Sequence, residues 1–346
     1  MPLIKPKELI KDRVKAIQNF HKKAGIKKAE LDISGGIDSA VMACLLKMAL
    51  GSENIILVHS RFETAKAQTD RAKRLANALG IPFINFNGEE VWKALRKTMV
   101  GAIIEACDSD TLSKALSRDS IDPTISGSIK SCLRAPIGRG FNRLLGGGIR
   151  HGTGNECEDR FIRFYQKGGD GEVDTNPLEM LSKTEVYQLA YALAQDMSSE
   201  VREVLYETIN AAPSPDLWGN GDGHTDEQEL KESFGVPFTY GRIDVKTGKI
   251  KSFGTIEMVS RLIDYTTIND LLFGSTEPDW KALLLKATNS KNWTTVPDSD
   301  IIPLLIAARK AERMTRHKDN SNIPTLGTRE ELVNQGILSN DLSKEF

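Results

Sequence analysis

The chain has 346 residues, with 46 Lys and Arg against 47 Asp and Glu, so its formal net charge is −1. Hydrophobic residues make up 40% and charged residues 27%, which is typical of globular proteins and excludes a disordered, collagen-like or coiled-coil chain. The near-zero net charge also argues against a protein whose whole surface binds nucleic acid.

Cysteine usage and hydropathy do not suggest an extracellular or membrane protein. The four cysteines, at positions 44, 107, 132 and 157, form no CxxC pair, which argues against a disulfide scaffold and a zinc site. No apolar run approaches the ~18 residues of a membrane span, and charged residues interrupt the N-terminal apolar runs. We therefore expect a soluble, cytoplasmic protein.

The first ninety residues alternate between helical and strand patterns. Ile10, Val14 and Ile17 recur at helical spacing, whereas residues 55–58 form an unbroken aliphatic run. The patterns predict helices over 7–24, 38–50 and 65–79 and strands over 29–33, 54–58 and 81–86. Strands alternating with helices indicate βαβ units, so we expect an α/β fold with a parallel sheet flanked by helices.

The rest of the chain is less regular. Its patterns predict a loop or insertion over 108–128, a helix after Asn155, a helix over 182–195, a long loop over 213–224 and a second insertion over 245–253 with a hairpin at 245–250. Ser182 and Glu185 have the spacing of a capping box at the start of the helix over 182–195. No repeat and no linker divides the chain, so we expect a single domain over 1–346 with insertions.

The segment S-G-G-I-D-S at 34–39 lies between a predicted strand and a predicted helix. Its two glycines allow a tight turn, and the amides of the following helix N-terminus can bind phosphate oxygens. A plain turn capped by Asp38 or Ser39 is the alternative. The segment lacks the Lys of a P-loop and the spacing of the dinucleotide-binding fingerprint.

This segment resembles the pyrophosphate loop of the N-type ATP pyrophosphatases, which cleave ATP between the α and β phosphates and adenylate a substrate oxygen. Later motifs resemble the NAD synthetases within that superfamily. They are H-G-T-G-N-E-C-E at 151–158, K-G-G-D-G-E-V-D at 167–174, L-S-K-T-E-V at 181–186, P-S-P-D-L at 213–217, T-D-E-Q-E-L at 225–230 and H-K at 317–318. The matches run in order from about residue 31 to 318.

The resemblance implies a Rossmann-like fold of the adenine nucleotide alpha hydrolase type and an ATP-dependent amidation of deamido-NAD by ammonia, with release of AMP and pyrophosphate. It also implies a homodimer. Only 33 residues precede Ser34, which is too few for a fused glutaminase domain. Ammonia is therefore expected to be free or to come from a separate donor protein.

The resemblance also assigns roles to individual residues. Asp38 and Lys183 would be catalytic, and Asp38 and Glu158 would bind Mg²⁺, which prefers one or two carboxylates plus phosphates. ATP would contact Ser34, Gly35, Gly36, Asp38, Ser39, Arg134, Thr153, Lys183 and Ser214. Deamido-NAD would contact Lys167, Asp170, Asp174, His317 and Lys318.

Several positions depart from the family pattern. Cys132 stands where the family has an arginine, and Gly168 replaces an aromatic residue. One extra residue lies between Glu158 and Lys167, so the intervening helix must shift or bulge. Either His59 or Arg61 would supply the positive charge that the family places after the second strand. The alternatives are adenylation of another substrate, such as a nucleotide or a tRNA base, and a nucleotide-binding protein without turnover.

Overall fold

In the computed structural model of the chain, four parallel strands form a sheet in the order β3-β2-β1-β4. The strands are β1 (Ala29–Asp32), β2 (Ile55–Arg61), β3 (Phe83–Asn87) and β4 (Ile149–His151). Leu31 of β1 is in register with Leu57 on one side and with His151 on the other. The structure describes residues 4–106, 108–111, 113–114, 117, 123–214, 225–235, 238–262, 298–318 and 323–340.

Helices surround this sheet. They are α1 (Pro6–Ala24), α2 (Ile37–Leu50), α3 (Lys66–Leu79), α4 (Glu89–Ala106), α5 (Pro123–Leu144), α6 (Lys183–Asp196), α7 (Ser199–Asn210), α8 (Asp226–Phe234), α9 (Thr255–Leu262), α10 (Asp298–Thr315) and α11 (Arg329–Asn334). A π-helix spans Glu156–Ile162, and short strands β5 (Arg242–Ile243) and β6 (Ile250–Ser252) pair antiparallel. Within the described ranges, no helix is long and apolar enough to cross a bilayer.

The main hydrophobic core lies between the sheet and helices α1, α2, α6 and α7. Helix α2 is buried on most of its surface, which explains why its sequence is almost entirely apolar. Along β1, Leu31 faces this core, so Glu30 and Asp32 face the opposite side of the sheet. Helix α5 packs there. A second hydrophobic core joins the π-helix to α8, α9 and α10.

The predicted strands and helices of the first ninety residues are confirmed, although β2 continues to Arg61. The capping box of Ser182 and Glu185 and the hairpin near 245–250 are also present. The loop predicted over 108–128 is wrong at residues 109–111, 113–114, 117 and 123–128, which are helical. Residues 123–128 form the first turns of α5, with Pro123 as its first residue. Residues 118–122 of that segment, and 215–224 of the loop predicted over 213–224, lie outside the described residues.

The helix predicted after Asn155 is a π-helix, in which each backbone hydrogen bond spans five residues and not four. A π-helix is one way to accommodate the extra residue between Glu158 and Lys167, and the expected shift or bulge stays a prediction. The Asn155 side chain begins the π-helix by accepting hydrogen bonds from the amides of Cys157 and Glu158, at 3.1 and 3.2 Å.

Candidate active site

The segment at 34–39 joins the carboxyl end of β1 to the N-terminus of α2. The hydroxyls of Ser34 and Ser39 lie 3.0 Å apart, and the Gly36 amide donates to Ser34 Oγ at 3.1 Å. Gly36 is the N-cap, and no side chain caps α2. Because Asp38 and Ser39 lie inside the first turn, the alternative of a turn capped by either of them is wrong. The helix N-terminus is therefore available to an anion.

Gly35 gives the segment its tight turn. Its φ of +83° is in the left-handed region, and a Cβ on this residue would lie 2.3 Å from the Gln68 carbonyl oxygen. Its own carbonyl accepts a hydrogen bond from Arg71 Nε at 3.0 Å. Only glycine fits this position, because both the backbone conformation and the space exclude a side chain.

Lys183 lies between two carboxylates at the mouth of this loop. Its Nζ is 2.6 Å from Asp38 Oδ2 and 2.8 Å from Glu158 Oε1, and Asn155 Nδ2 donates to Asp38 Oδ1 at 3.1 Å. Burial alone would lower the pKa of Lys183, but attraction to the two carboxylates raises it well above its usual value. Burial raises the pKa of Asp38, and contact with Lys183 opposes that rise. The ammonium is therefore charged and fixed beside the loop.

The first turn of α6, which carries Lys183, is held by two segments that follow it by more than 70 residues. Glu257 of α9 accepts hydrogen bonds from the Thr184 amide and hydroxyl, both at 2.5 Å. Arg329 of α11 binds both carboxylate oxygens of Glu185, at 2.7 and 2.8 Å. These contacts, together with the Ser182 cap, fix the direction in which Lys183 leaves the helix.

A cavity opens over the loop and gathers most of the residues predicted to bind ATP. Arg134 enters it from α5, and within the described residues this cation has no carboxylate partner. The cavity is lined by Ser34, Gly36, Asp38, Ser39, Arg134, Thr153, Lys183 and Ser214, together with Glu158 and Asp170. Gly35 shapes the loop from behind. The structure therefore brings together residues that are up to 180 positions apart in the sequence.

The remaining residues predicted for the dinucleotide do not line this cavity. Lys167 Nζ donates to the His317 carbonyl at 3.4 Å, and Lys318 Nζ donates to the Tyr165 carbonyl at 2.7 Å, so these segments form a neighbouring cluster. Asp174 forms a bidentate ion pair with Arg139, at 2.9 and 3.0 Å. Its charge is therefore already neutralised inside the protein.

Neither residue expected to supply positive charge after the second strand places a free charge in this cavity. His59 lines the cavity, but its nitrogens contact the Ile33 carbonyl and the Thr69 hydroxyl at 2.6 and 3.0 Å. Burial lowers its pKa, so the ring is neutral. Arg61 donates to Asn85 Oδ1 at 2.9 Å and does not line the cavity. Arg71 of α3 does line it, and the sequence pattern did not single it out because it reads as a surface charge.

Two departures from the family pattern have a structural explanation. Gly168 has a φ of +85°, which favours glycine over the aromatic residue expected there. Cys132 lies close enough to Asp170 and Lys318 to interact electrostatically, and burial raises the pKa of its thiol. Cys132 is therefore a neutral thiol and does not replace the charge of an arginine.

Several acidic residues at the site were missed from the sequence. Asp159, in the π-helix, lines the cavity and accepts a hydrogen bond from Asn176 Nδ2 at 3.0 Å. Asp226 lines it from the N-terminus of α8, and burial raises its pKa well above the usual value. The motif at 225–230 contains Asp226 and is the sequence feature that could have identified it. Within the described part of the chain, no three acidic, His or Cys side chains are grouped to hold a metal on their own.

Comparison with known proteins matches residues 9–245 to the family model described as NAD synthase. The NH3-dependent NAD+ synthetase of Methanococcoides burtonii is 33% identical over 245 residues, covering 70% of this chain and 78% of that protein. The corresponding protein of Thermoplasma volcanium is 28% identical, covering 79% and 90%. Among solved structures, the NMN synthetase of Francisella tularensis shares the fold, with a TM-score of 0.52 at 24% identity, covering 65% of this chain and 81% of that one.

Proposed function

Because this chain belongs to the NAD synthase family, we propose that it is an ammonia-dependent NAD+ synthetase. The nicotinate carboxylate of deamido-NAD attacks the α-phosphorus of ATP, and the bond to the β-phosphate breaks with release of pyrophosphate. Ammonia then attacks the adenylated carbonyl carbon, and AMP leaves. Neither step needs a nucleophile from the protein.

The observation that carries this proposal is the position of Lys183. Its ammonium lies beside the Ser34–Ser39 loop and is held by Asp38 and Glu158. Negative charge accumulates on pyrophosphate as it leaves, so a fixed cation and helix amides at the departure point stabilise the transition state. Arg134 and Arg71 add positive charge along the same cavity. Thr153 and Ser214 supply hydroxyls for ATP.

Asp38 and Glu158 also fit a magnesium site. The two carboxylates lie side by side at the loop, each bonded through one oxygen to Lys183 Nζ, at 2.6 and 2.8 Å. Mg²⁺ binds one or two carboxylates together with substrate phosphates, and these two residues would supply such carboxylates. When bound, the ion would neutralise phosphate charge.

For deamido-NAD, Asp170 offers a carboxylate at the edge of the cavity, held by the Ser131 hydroxyl and the Gln166 amide at 3.1 and 2.8 Å. The neighbouring cluster of Lys167, His317 and Lys318 supplies positive charge for a dinucleotide that extends beyond the cavity. We assign the acceptor substrate to this side of the site. Asp174, which is paired with Arg139, would act by fixing α5.

A homodimer is supported by helix α4. Trp92 is the single buried residue among its described positions, while Val91, Met99 and Ile104 are 41%, 40% and 56% exposed. Exposed apolar side chains of this size are available for contact with another protein. We propose that a second copy of the chain covers α4.

The decisive experiment gives the purified protein ATP, Mg²⁺, deamido-NAD and ammonium and quantifies NAD+, AMP and pyrophosphate. We expect the three products in equal amounts. Deamido-NAD is then replaced by nicotinate mononucleotide or tRNA. AMP formed only with one of these replacements would move the activity to another acceptor, and no AMP with any of them would indicate a nucleotide-binding protein without turnover.

A further inference from the structure

Two polar strand residues in the cavity are not used by the activity described above. Asp32 ends β1 and Ser60 lies near the end of β2, and both line the cavity. Asp32 Oδ1 and Ser60 Oγ are buried without a hydrogen-bond partner in the part of the chain that the structure describes. An unsatisfied buried polar atom costs roughly 1–3 kcal/mol, and both atoms belong to side chains that line the cavity.

The Asp32 carboxylate is held in place by a buried arginine. Arg150 is 1% exposed, and one end of its guanidinium contacts Asp32 Oδ2. The rest of the guanidinium binds Glu30 Oε1 at 2.6 Å and the Glu172 carbonyl at 3.0 Å. The arginine packs closely against α5, since a Cβ on Gly138 would lie 1.8 Å from its Nη1. Asp32 therefore faces the cavity in one orientation, with 28% of its side chain exposed.

The distance between Asp32 and the phosphate loop determines which part of a bound nucleotide lies near Asp32. Ser34, the first residue of the phosphate loop, is two residues further on, which corresponds to roughly 6–7 Å at the rise of a strand. Ribose hydroxyls lie about that far from the α-phosphate of the same nucleotide, whereas the amino group of adenine lies much further away. A carboxylate at a strand end is also the group that binds ribose hydroxyls in dinucleotide-binding folds.

We propose that Asp32, oriented by Arg150, and Ser60 bind the ribose hydroxyls of the nucleoside triphosphate. Asp32 is then a specificity-determining residue that selects ribonucleotides over deoxyribonucleotides. The proposal rests on the proposed use of ATP. Removing a hydroxyl from the ligand leaves the carboxylate unsatisfied in the complex, which weakens binding by about 10- to 100-fold.

Calorimetric titration of the intact protein with ATP, 2′-deoxyATP, 3′-deoxyATP and ITP, each with Mg²⁺, tests this inference without requiring turnover. We expect wild type to bind ATP roughly 10- to 100-fold more tightly than at least one deoxy analogue. Asp32→Ala should reduce that ratio to less than about threefold, while the ratio of ATP to ITP stays unchanged. Asp70→Ala, a matched change on exposed α3, should preserve both ratios.

Equal binding of ATP and both deoxy analogues by wild type would overturn the inference and leave the proposed function standing. The inference also fails if Asp32→Ala keeps the discrimination, or if it changes only the ratio of ATP to ITP. Failure of wild type to bind ATP at all would remove the proposed function as well. Each ratio is measured within one variant, so it does not depend on the folded fraction. Ser60→Ala, which removes a single atom, provides the same test should Asp32→Ala not fold.

Discussion

The Nε2 atoms of His21 and His151 lie 2.9 Å apart, and the two rings stack with their centroids 5.2 Å apart. His21 Nδ1 lies 2.8 Å from the Ile26 carbonyl, which can only accept, so this nitrogen carries a proton. In the neutral pair, His151 Nε2 then donates to His21 Nε2. Burial and the neighbouring ring lower the pKa of His151 to about 3. The pair is therefore neutral in the folded protein, and lowering the pH destabilises the folded state.

His151→Gln is expected to remove an acid sensitivity. A histidine whose pKa falls on folding stabilises the protein above pH 6.5, and this stability is lost as the pH falls towards the folded value. Between pH 6.5 and 5 the loss is about 2 kcal/mol in wild type. Urea unfolding at both pH values should show that, as the pH falls, the free energy of unfolding of the variant rises by that amount relative to wild type. An equal slope in the two proteins would contradict the neutral pair.

Glu30→Gln is expected to change the pH dependence of the free energy of unfolding in the direction opposite to that of His151→Gln. Burial and the nearby Asp32 charge raise the pKa of Glu30 to about 7, against the attraction of Arg150. A raised carboxyl pKa contributes stability at low pH that is lost as the pH rises through 7. From pH 7 to 5 the variant should lose about 2 kcal/mol relative to wild type. A variant that gains relative to wild type on acidification would show that Glu30 is ionised throughout.

Lys183→Met is expected to slow turnover strongly while the protein still folds. The change removes the cation between Asp38 and Glu158 and the charge that stabilises departing pyrophosphate. We expect the rate of AMP formation to fall by about 10²- to 10³-fold. Lys15→Met, on the exposed face of α1, is the matched control and should leave the rate unchanged. A loss of less than tenfold in the Lys183 variant would exclude it from the chemistry.

Gly35→Ala tests the shape of the phosphate loop. The added methyl group would lie 2.3 Å from the Gln68 carbonyl oxygen, and the φ of +83° is unfavourable for alanine. We expect ATP binding to weaken at least tenfold, because the loop must move to relieve the contact. Gly25→Ala is the control, since that glycine also has a positive φ, of +68°, but has no atom within 4 Å of its added Cβ. Equal ATP affinity in the two variants would show that the close contact does not shape the loop.

Ile104→Glu tests the role of α4. Placing a charge at Ile104, which is 56% exposed, should convert a dimer into a monomer without changing the free energy of unfolding of the isolated chain. Sedimentation at several concentrations would measure the change. Ile26→Glu, at a residue that is 42% exposed near the end of α1, controls for surface charge. A wild-type protein that is monomeric at all concentrations would refute the proposed interface.

The sequence predicts the parallel sheet and the phosphate loop because both depend on local patterns. Hydrophobic periodicity identifies β1 and β2, and the S-G-G-I-D-S segment lies at the predicted strand end. The loop predicted over 108–128 is wrong at 123–128, where a segment rich in Ser and Gly forms a helix that is stabilised by packing on the sheet. Local propensity does not record such tertiary contacts.

Much of the site depends on contacts between segments that are distant in the sequence. Lys183 was identified from its motif, but its partners could be assigned only by resemblance. Arg71 and Arg150 have the appearance of ordinary surface cations, and only the fold shows that both line the cavity and that Arg150 is buried. Asp159 reaches the cavity through the π-helix, whose hydrogen-bond pattern has no simple sequence signature.

The clamp on the first turn of α6 also has a consequence for the order of events during synthesis. Glu257 and Arg329, which fix Thr184 and Glu185, are made long after Lys183 leaves the ribosome. We expect nascent chains to bind no ATP productively until the final segment has docked, so the cell would not expose a half-built adenylating site. In Arg329→Met the full chain is made, but the contact with Glu185 is lost. During refolding, this variant should slow the appearance of activity more than the appearance of helical signal. If activity and helical signal appear at equal rates, the assembly of the site does not depend on docking of the final segment.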